Sequence, residues 1–219
     1  MVGTLIRVAI VDDHRVVVES LAALLENSSD FSVVGTATTA DEGAKVVLQT
    51  RPDVALFDVD FPGRDSFDVV PQLIKQSPST RIAFLTAHLS DVFVSQAIRM
   101  NAHGYLLKGE PSAEVCAAIK RLYAGEYVFS AAVRDRLTWD SKTSRYDVRA
   151  DNMLCGLSVQ QLSILRHLAR GESVKEIARI LGRSEKSIDS HKYRIMHRLG
   201  IHDRVELCRY AIREGLTVV

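Results

Sequence analysis

Short apolar runs recur through the first half of the chain and alternate with longer amphipathic stretches. Four of them are Arg7-Val-Ala-Ile-Val11, Val54-Ala-Leu-Phe57, Arg81-Ile-Ala-Phe-Leu85 and Gly104-Tyr-Leu-Leu107. Runs this short, without polar alternation, are the pattern of strands buried on both faces, as in a parallel sheet covered by helices. The pattern predicts strands near 6–11, 32–37, 54–58, 81–86 and 104–107. Helices are predicted near 15–26, 40–50, 66–76, 91–100 and 112–124. Pro52, Pro62-Gly63, Pro78 and Pro111 all fall at proposed boundaries, where a missing N–H does no harm. Asn101 follows a predicted helix, a position where a left-handed residue often ends the spiral. The expectation is a doubly wound α/β fold with a five-stranded parallel sheet.

The rhythm is lost over residues 129–152. Ser-Lys-Thr-Ser at 141–144 and the charges from Arg145 to Asp151 read as a linker, with a short helix possible around 131–138. Beyond it the pattern is helical with strong start signals. Ser158…Gln161, Ser173…Glu176 and Asp203…Glu206 have capping-box spacing, and Ser184 caps a further helix. Gly171, Gly182 and Gly200 sit where helices should stop. Helices are predicted near 159–170, 174–181, 185–199 and 204–214. The short Gly182-Arg183-Ser184 connection marks a helix-turn-helix. The expected domains are therefore 1–128, a linker at 129–152, and 153–219.

Charge sharpens that division. The net charge of +1 over 219 residues hides an asymmetry. Residues 1–128 carry 11 Lys+Arg and 16 Asp+Glu, a net of −5. Residues 153–219 carry 12 and 7, a net of +5, with four of the seven histidines in addition. An acidic first domain suits a cation site, and a basic last domain suits a polyanion. Cys116, Cys155 and Cys208 form no close pair and suit a reducing cytoplasm as buried thiols. The first apolar stretch is broken by Arg7 and ends at Asp12, so neither a signal peptide nor a membrane span is expected there.

The chemistry lies at the strand ends. Asp12-Asp13, Asp58, Thr86 and Lys108 each end one of the four apolar runs. In an open α/β sheet, groups at the carboxyl ends of the strands converge on one crevice. Carboxylates, a hydroxyl and an ammonium meeting there suit phosphoryl transfer supported by a divalent cation. Mg2+ takes oxygen ligands and keeps several waters, so Asp13, Asp58 and the main-chain oxygen of Asp60 could hold it, with Asp12 on a bound water. Asp58 would be the nucleophile, Lys108 would pair with one phosphoryl oxygen, and the Thr86 hydroxyl would bond another.

A family resemblance follows from these residues. Ile10-Val-Asp-Asp-His14, Asp58-Val-Asp-Phe-Pro-Gly-Arg-Asp65, Thr86-Ala87 and Gly104-Tyr-Leu-Leu-Lys108 resemble the flavodoxin-like receiver domain of two-component response regulators. The resemblance implies Asp58 as phosphoacceptor, Asp12, Asp13 and Asp58 as an acid pocket, and Thr86, Ala87 and Lys108 as phosphate or switch contacts. Tyr105 matches the family's aromatic switch position, and core packing is its other reading. Phe61 and Ser66 depart from the frequent methionine and glycine. Leu157-Ser-Val-Gln-Gln-Leu-Ser-Ile-Leu165, Lys175-Glu-Ile-Ala178, Ser184-Glu-Lys-Ser-Ile188, His191 and Arg198-Leu-Gly200 resemble the LuxR-type DNA-binding domain of NarL-class regulators. Family geometry implies base-edge contacts from Asp189, Ser190 and Tyr193, with Lys186, Lys192 and Arg194 toward phosphates. Members often place a non-acidic residue where Asp189 stands. An aspartate near phosphates is repelled, yet it can accept from cytosine N4.

The resemblance implies a phosphorylation-dependent transcription regulator rather than an enzyme, one that accepts a phosphoryl group on Asp58 and can assist its own dephosphorylation. Its expected partners are a histidine kinase, double-stranded DNA and a second copy of the chain, with Mg2+ as cofactor and no membrane. Two alternatives stay open: an adaptor that signals by protein contact with weak DNA binding, and an Asp-x-Asp phosphatase. The second is disfavoured because Phe61-Pro62 follows the Asp58-Val-Asp60 motif, where that family has a small residue, and because an aspartate pair stands far upstream.

Overall fold

The computed structural model describes residues 4–140, 145–148 and 153–216. Of the linker expected at 129–152, residues 141–144 and 149–152 lie outside the described residues, and the rest holds short strands and a helix. The chain divides into two compact units, residues 1–89 with 97–147, and residues 148–219 with 90–96.

In chain order the first part runs β1 (Ile6–Val11), α1 (Arg15–Glu26), β2 (Phe31–Ala37), α2 (Ala40–Thr50), β3 (Val54–Phe57), α3 (Ser66–Gln76), β4 (Arg81–Thr86), α4 (Asp91–Arg99), β5 (Gly104–Leu107) and α5 (Ser112–Tyr123). It continues through β6 (Val128–Phe129), α6 (Ala131–Arg134) and a two-stranded sheet of β7 (Leu137–Asp140) and β8 (Arg145–Val148). The main sheet has the order β2-β1-β3-β4-β5-β6, with every pairing parallel. All five expected strands are present, and the sheet has a sixth that the pattern did not predict. Val128 and Phe129 pair with Gly104 and Tyr105. A two-residue strand is too short to leave a periodic signal.

Side chains alternate between two cores. Ile6, Val8 and Ile10 of β1 join Leu56, Leu85 and Leu106 beneath α1 and α5. On the other face the rings of Phe67 and Phe84 lie 4.9 Å apart, and those of Phe84 and Tyr105 6.1 Å apart. Gly43 of α2 lies over that face, where an added Cβ would stand 2.5 Å from Val11 Cγ1 and 3.0 Å from Phe57 Cε1. The close approach fixes α2 against the two strands that carry Asp12 and Asp58.

The second unit contains a 3-10 turn (Met153–Gly156), α7 (Val159–Ala169), α8 (Val174–Ile180), α9 (Glu185–Leu199) and α10 (Arg204–Arg213). Ser158 and Ser173 form full capping boxes with Gln161 and Glu176. Asp203 takes the Val205 and Glu206 N–H groups on one carboxylate oxygen. Gly182 and Gly200 adopt φ values of 62° and 66°, where a Cβ would be strained. Ile177, Ile188, Ile195, Leu199, Leu207 and Ala211 are buried.

Two predictions concern the receiver-like unit. Gly43→Ala overpacks the contact with Val11 and Phe57 and should destabilise the fold by about 1–3 kcal/mol, read as a lower denaturation midpoint. The second concerns His103, whose Nδ1 accepts the Ile82 N–H at 3.0 Å while its ring stacks on Tyr127. Burial and the Arg81 charge push its pKa below the ordinary imidazole value. Below pH of about 6.5 the unfolded chain therefore binds the proton first, so stability falls with pH down to the folded pKa. Unfolding free energies measured across that range should show a shallower pH slope in His103→Asn than in the wild type.

Candidate functional site

Sheet register alone brings the acidic residues together. Val11 pairs with Phe57, so the next residues, Asp12 and Asp58, lie side by side. The Asp58 N–H donates to the Val11 carbonyl at 2.8 Å, and the Lys108 N–H to the Thr86 carbonyl at 2.9 Å. The strand order reverses between β1 and β3, where a crevice opens beyond the carboxyl ends. Asp12 and Asp58 are buried there, and Asp13 is half-buried.

Lys108 sits between the two buried carboxylates. Its Nζ is 2.7 Å from Asp12 Oδ2 and 2.7 Å from Asp58 Oδ2, with its side chain 17% exposed. Burial opposes the ammonium, yet the hydrogen bonds and charges of Asp12 and Asp58 outweigh it and hold its pKa above the usual lysine value. Asp58 is held further: Oδ1 accepts the Val59 N–H at 2.7 Å, and its carbonyl accepts the Ser66 hydroxyl. Ser66, at the start of α3 behind the Asp65 cap, is thus an anchor for the loop that carries Asp58.

Ligand atoms of Asp12, Asp13, His14 and Asp58 lie within 4.8 Å of one another. Asp13 Oδ1 is buried without a hydrogen bond, although His14 Nδ1 lies 2.9 Å away. An orphaned carboxylate oxygen beside two more carboxylates fits a hard divalent cation. Asp60 does not join this group through its carboxylate. His14 does, and the sequence reading missed it. Its place directly after the aspartate pair was the available signal.

Thr86 and Tyr105 are fully buried, whereas Ala87 is exposed. The Thr86 hydroxyl accepts the His88 N–H at 3.2 Å, and the Tyr105 hydroxyl donates to the His88 carbonyl at 2.6 Å. Burial, aided by the Asp58 charge, pushes the Tyr105 phenol far above its usual range. The residue after the Thr86-Ala87 pair is therefore tied on both sides to residues of β4 and β5.

The second candidate site is the face of α9. Ile188, Ile195 and Leu199 turn inward, and Lys186, Ser190, Tyr193 and Arg194 are exposed. Asp189 is 46% exposed and holds Lys192 Nζ at 2.6 Å on Oδ1. That ammonium also lies 4.8 Å from the centre of the Tyr193 ring. Lys192, expected toward phosphates, is paired with Asp189 here and only 17% exposed. Spacing of three on a helix makes that pair geometrically available, a signal that was present in the sequence.

One prediction tests the ammonium bridge. Lys108→Ala leaves Asp12 and Asp58 facing each other without a cation. It should lower stability in metal-free buffer by about 3 kcal/mol, the lower end of the cost of breaking a buried pair, because Lys108 keeps some solvent. Added Mg2+ should raise the melting temperature of this variant more than that of the wild type in a thermal unfolding assay.

Two segments of the chain match known families. Residues 8–120 match the response regulator receiver domain, and residues 156–211 match the bacterial regulatory proteins of the luxR family. The chain is 32% identical to the oxygen regulatory protein NreC of Staphylococcus aureus (strain bovine RF122 / ET3-1) over 213 residues, covering 96% of this chain and 98% of that protein. It is 29% identical to the response regulator UvrY of Escherichia coli (strain K12) over 212 residues, covering 97% and 96%. Among solved structures, RcsB from Salmonella enterica serovar Typhimurium, bound to a promoter in the presence of the phosphomimetic BeF3-, is similar with a TM-score of 0.72 at 26% identity, covering 94% of this chain and 98% of that one. With a parallel-sheet receiver carrying its acid pocket and lysine, and a helix-turn-helix unit after it, the chain belongs to the two-component response regulators that join a receiver domain to a LuxR-type DNA-binding domain.

Proposed function

We propose that this protein is a transcription regulator switched by phosphorylation of Asp58, with a histidine kinase or a small phosphodonor as the source. The observation that carries the reading is the Lys108 ammonium shared by Asp12 and Asp58 at 2.7 Å each. A carboxylate oxygen of Asp58 attacks the donor phosphorus, an acyl-phosphate bond forms, and the donor's bond to phosphorus breaks. The donor side chain or molecule leaves with its electron pair and takes a proton from solvent. Lys108 then exchanges a carboxylate oxygen for a phosphoryl oxygen as its partner, and Asp12 and Asp13 remain as the acidic wall. Asp12, Asp13 and Asp58, with the main chain of Asp60, would hold Mg2+, which when bound supplies charge neutralisation to the phosphoryl oxygens.

The phosphoryl group is stored rather than turned over as an ester, so the protein is a switch and not an enzyme, although slow self-dephosphorylation is compatible with the same pocket. Thr86 and Tyr105 are the residues placed to report the new charge, because both hold His88 and both are buried. A changed loop after β4 then biases the population of DNA-binding states.

DNA is contacted through α9, whose exposed face carries Lys186, Ser190, Tyr193 and Arg194 beside Asp189 and Lys192. Paired helix-turn-helix modules read two half-sites, so the active form is a homodimer. No helix among the described residues is long and apolar enough to cross a membrane, and the proposed place of action is the cytoplasm. Asp189 favours a second reading, an adaptor with weak DNA binding, since its carboxylate cancels one cation of the reading face.

Asp58→Asn should lose acyl-phosphate formation from a small phosphodonor with Mg2+, followed by intact-protein mass, while its circular dichroism stays native. Undiminished phosphorylation in that variant would refute the assignment.

A further inference from the structure

Asp189 is the residue of the α9 face that departs most from what a polyanion reader needs, and its surroundings give it a role. The side chain lies one turn into the helix, after Glu185, on the same front as Ser190 and Tyr193. Lys192 Nζ is clamped between the Asp189 carboxylate, at 2.6 Å, and the Tyr193 ring, with 4.8 Å to its centre. The three side chains form one assembly whose net charge is zero. We propose that Asp189 is the specificity-determining residue of this reading face. It withholds Lys192 from indiscriminate phosphate binding and accepts from the N4 amino group of a cytosine in the major groove. The inference rests on the reading of α9 as a DNA-binding helix.

Two physical points carry it. A neutralised lysine releases no counterion of its own, so the pair removes about one unit from the salt dependence that a free Lys192 would contribute. A carboxylate brought near phosphates is repelled on any sequence, and only a base edge that offers a donor offsets this. In the major groove, cytosine offers N4–H2, and adenine offers N6–H2 next to the N7 acceptor. A carboxylate has acceptors only, so its second oxygen faces repulsion from adenine N7 and meets none at cytosine. The remainder of the exposed face, Lys186 and Arg194, supplies charge whatever the sequence.

The test is selection of bound duplexes from a random-sequence pool with the phosphorylated full-length chain, comparing wild type, Asp189→Asn and Asp189→Ala. Asp189 is at the surface, and native circular dichroism checks each variant. The wild type should enrich cytosine at one position of each half-site. Asp189→Asn should move that position toward adenine, because an amide offers both a donor and an acceptor. Asp189→Ala should lose the preference, bind an unselected duplex several-fold more tightly, and show a log K against log salt slope steeper by about one. The base preference decides. An identical preference in all three proteins overturns the inference even if the salt slope changes, while leaving α9 as a DNA-binding helix. Absence of binding by the wild type to every duplex in the pool would overturn that reading and the inference together.

Discussion

Two carboxylates sharing one ammonium is the constraint around which the receiver is arranged. Asp12 and Asp58 are buried at adjacent strand ends, and neither has bulk water to stabilise its charge. Breaking a buried ion pair by removing one partner is strongly unfavourable. Lys108 must therefore remain at the end of β5, and the sheet must hold β1, β3 and β5 in register to keep it there. The same dependence makes the site responsive. Any group that takes Lys108 as a partner, or adds charge on Asp58, alters an interaction that three strands share.

The parallel sheet supplies that register without dedicated side chains. Main-chain bonds from Asp58 to Val11 and from Lys108 to Thr86 place the site as a continuation of the ladders. Helices then lock the strands: α1 and α5 over one core, and α2 through the close approach of Gly43 over the other. The Ser66 hydroxyl on the Asp58 carbonyl fixes the loop after β3.

Most of this was legible because strand-end chemistry is local in sequence. Asp12, Asp13, Asp58 and Lys108 directly follow the apolar runs that place them, and the helix caps of the second unit announce themselves by spacing. What was not legible depends on tertiary contact. Val128 and Phe129 form a strand only because β5 offers a free edge. Tyr105 could be read as a switch or as core, and it is both buried and bonded to the loop after β4. His14 contributes to the acid group by turning back from the start of α1. The resemblance placed Lys192 toward phosphates, and the structure adds that Asp189, three residues earlier, holds it. Neighbouring charges on a helix have to be read as pairs before they are read as ligands.

A receiver domain and a LuxR-type DNA-binding domain meet in one chain, and the proposed function depends on their coupling. The most direct measurement is the binding isotherm of the full-length protein on a selected duplex, taken before and after Asp58 is phosphorylated to a stoichiometry read by intact mass. The account predicts that the two isotherms differ in midpoint by several-fold or more, and that the difference vanishes as the acyl phosphate hydrolyses. Superimposable isotherms from fully phosphorylated and unphosphorylated protein would contradict it.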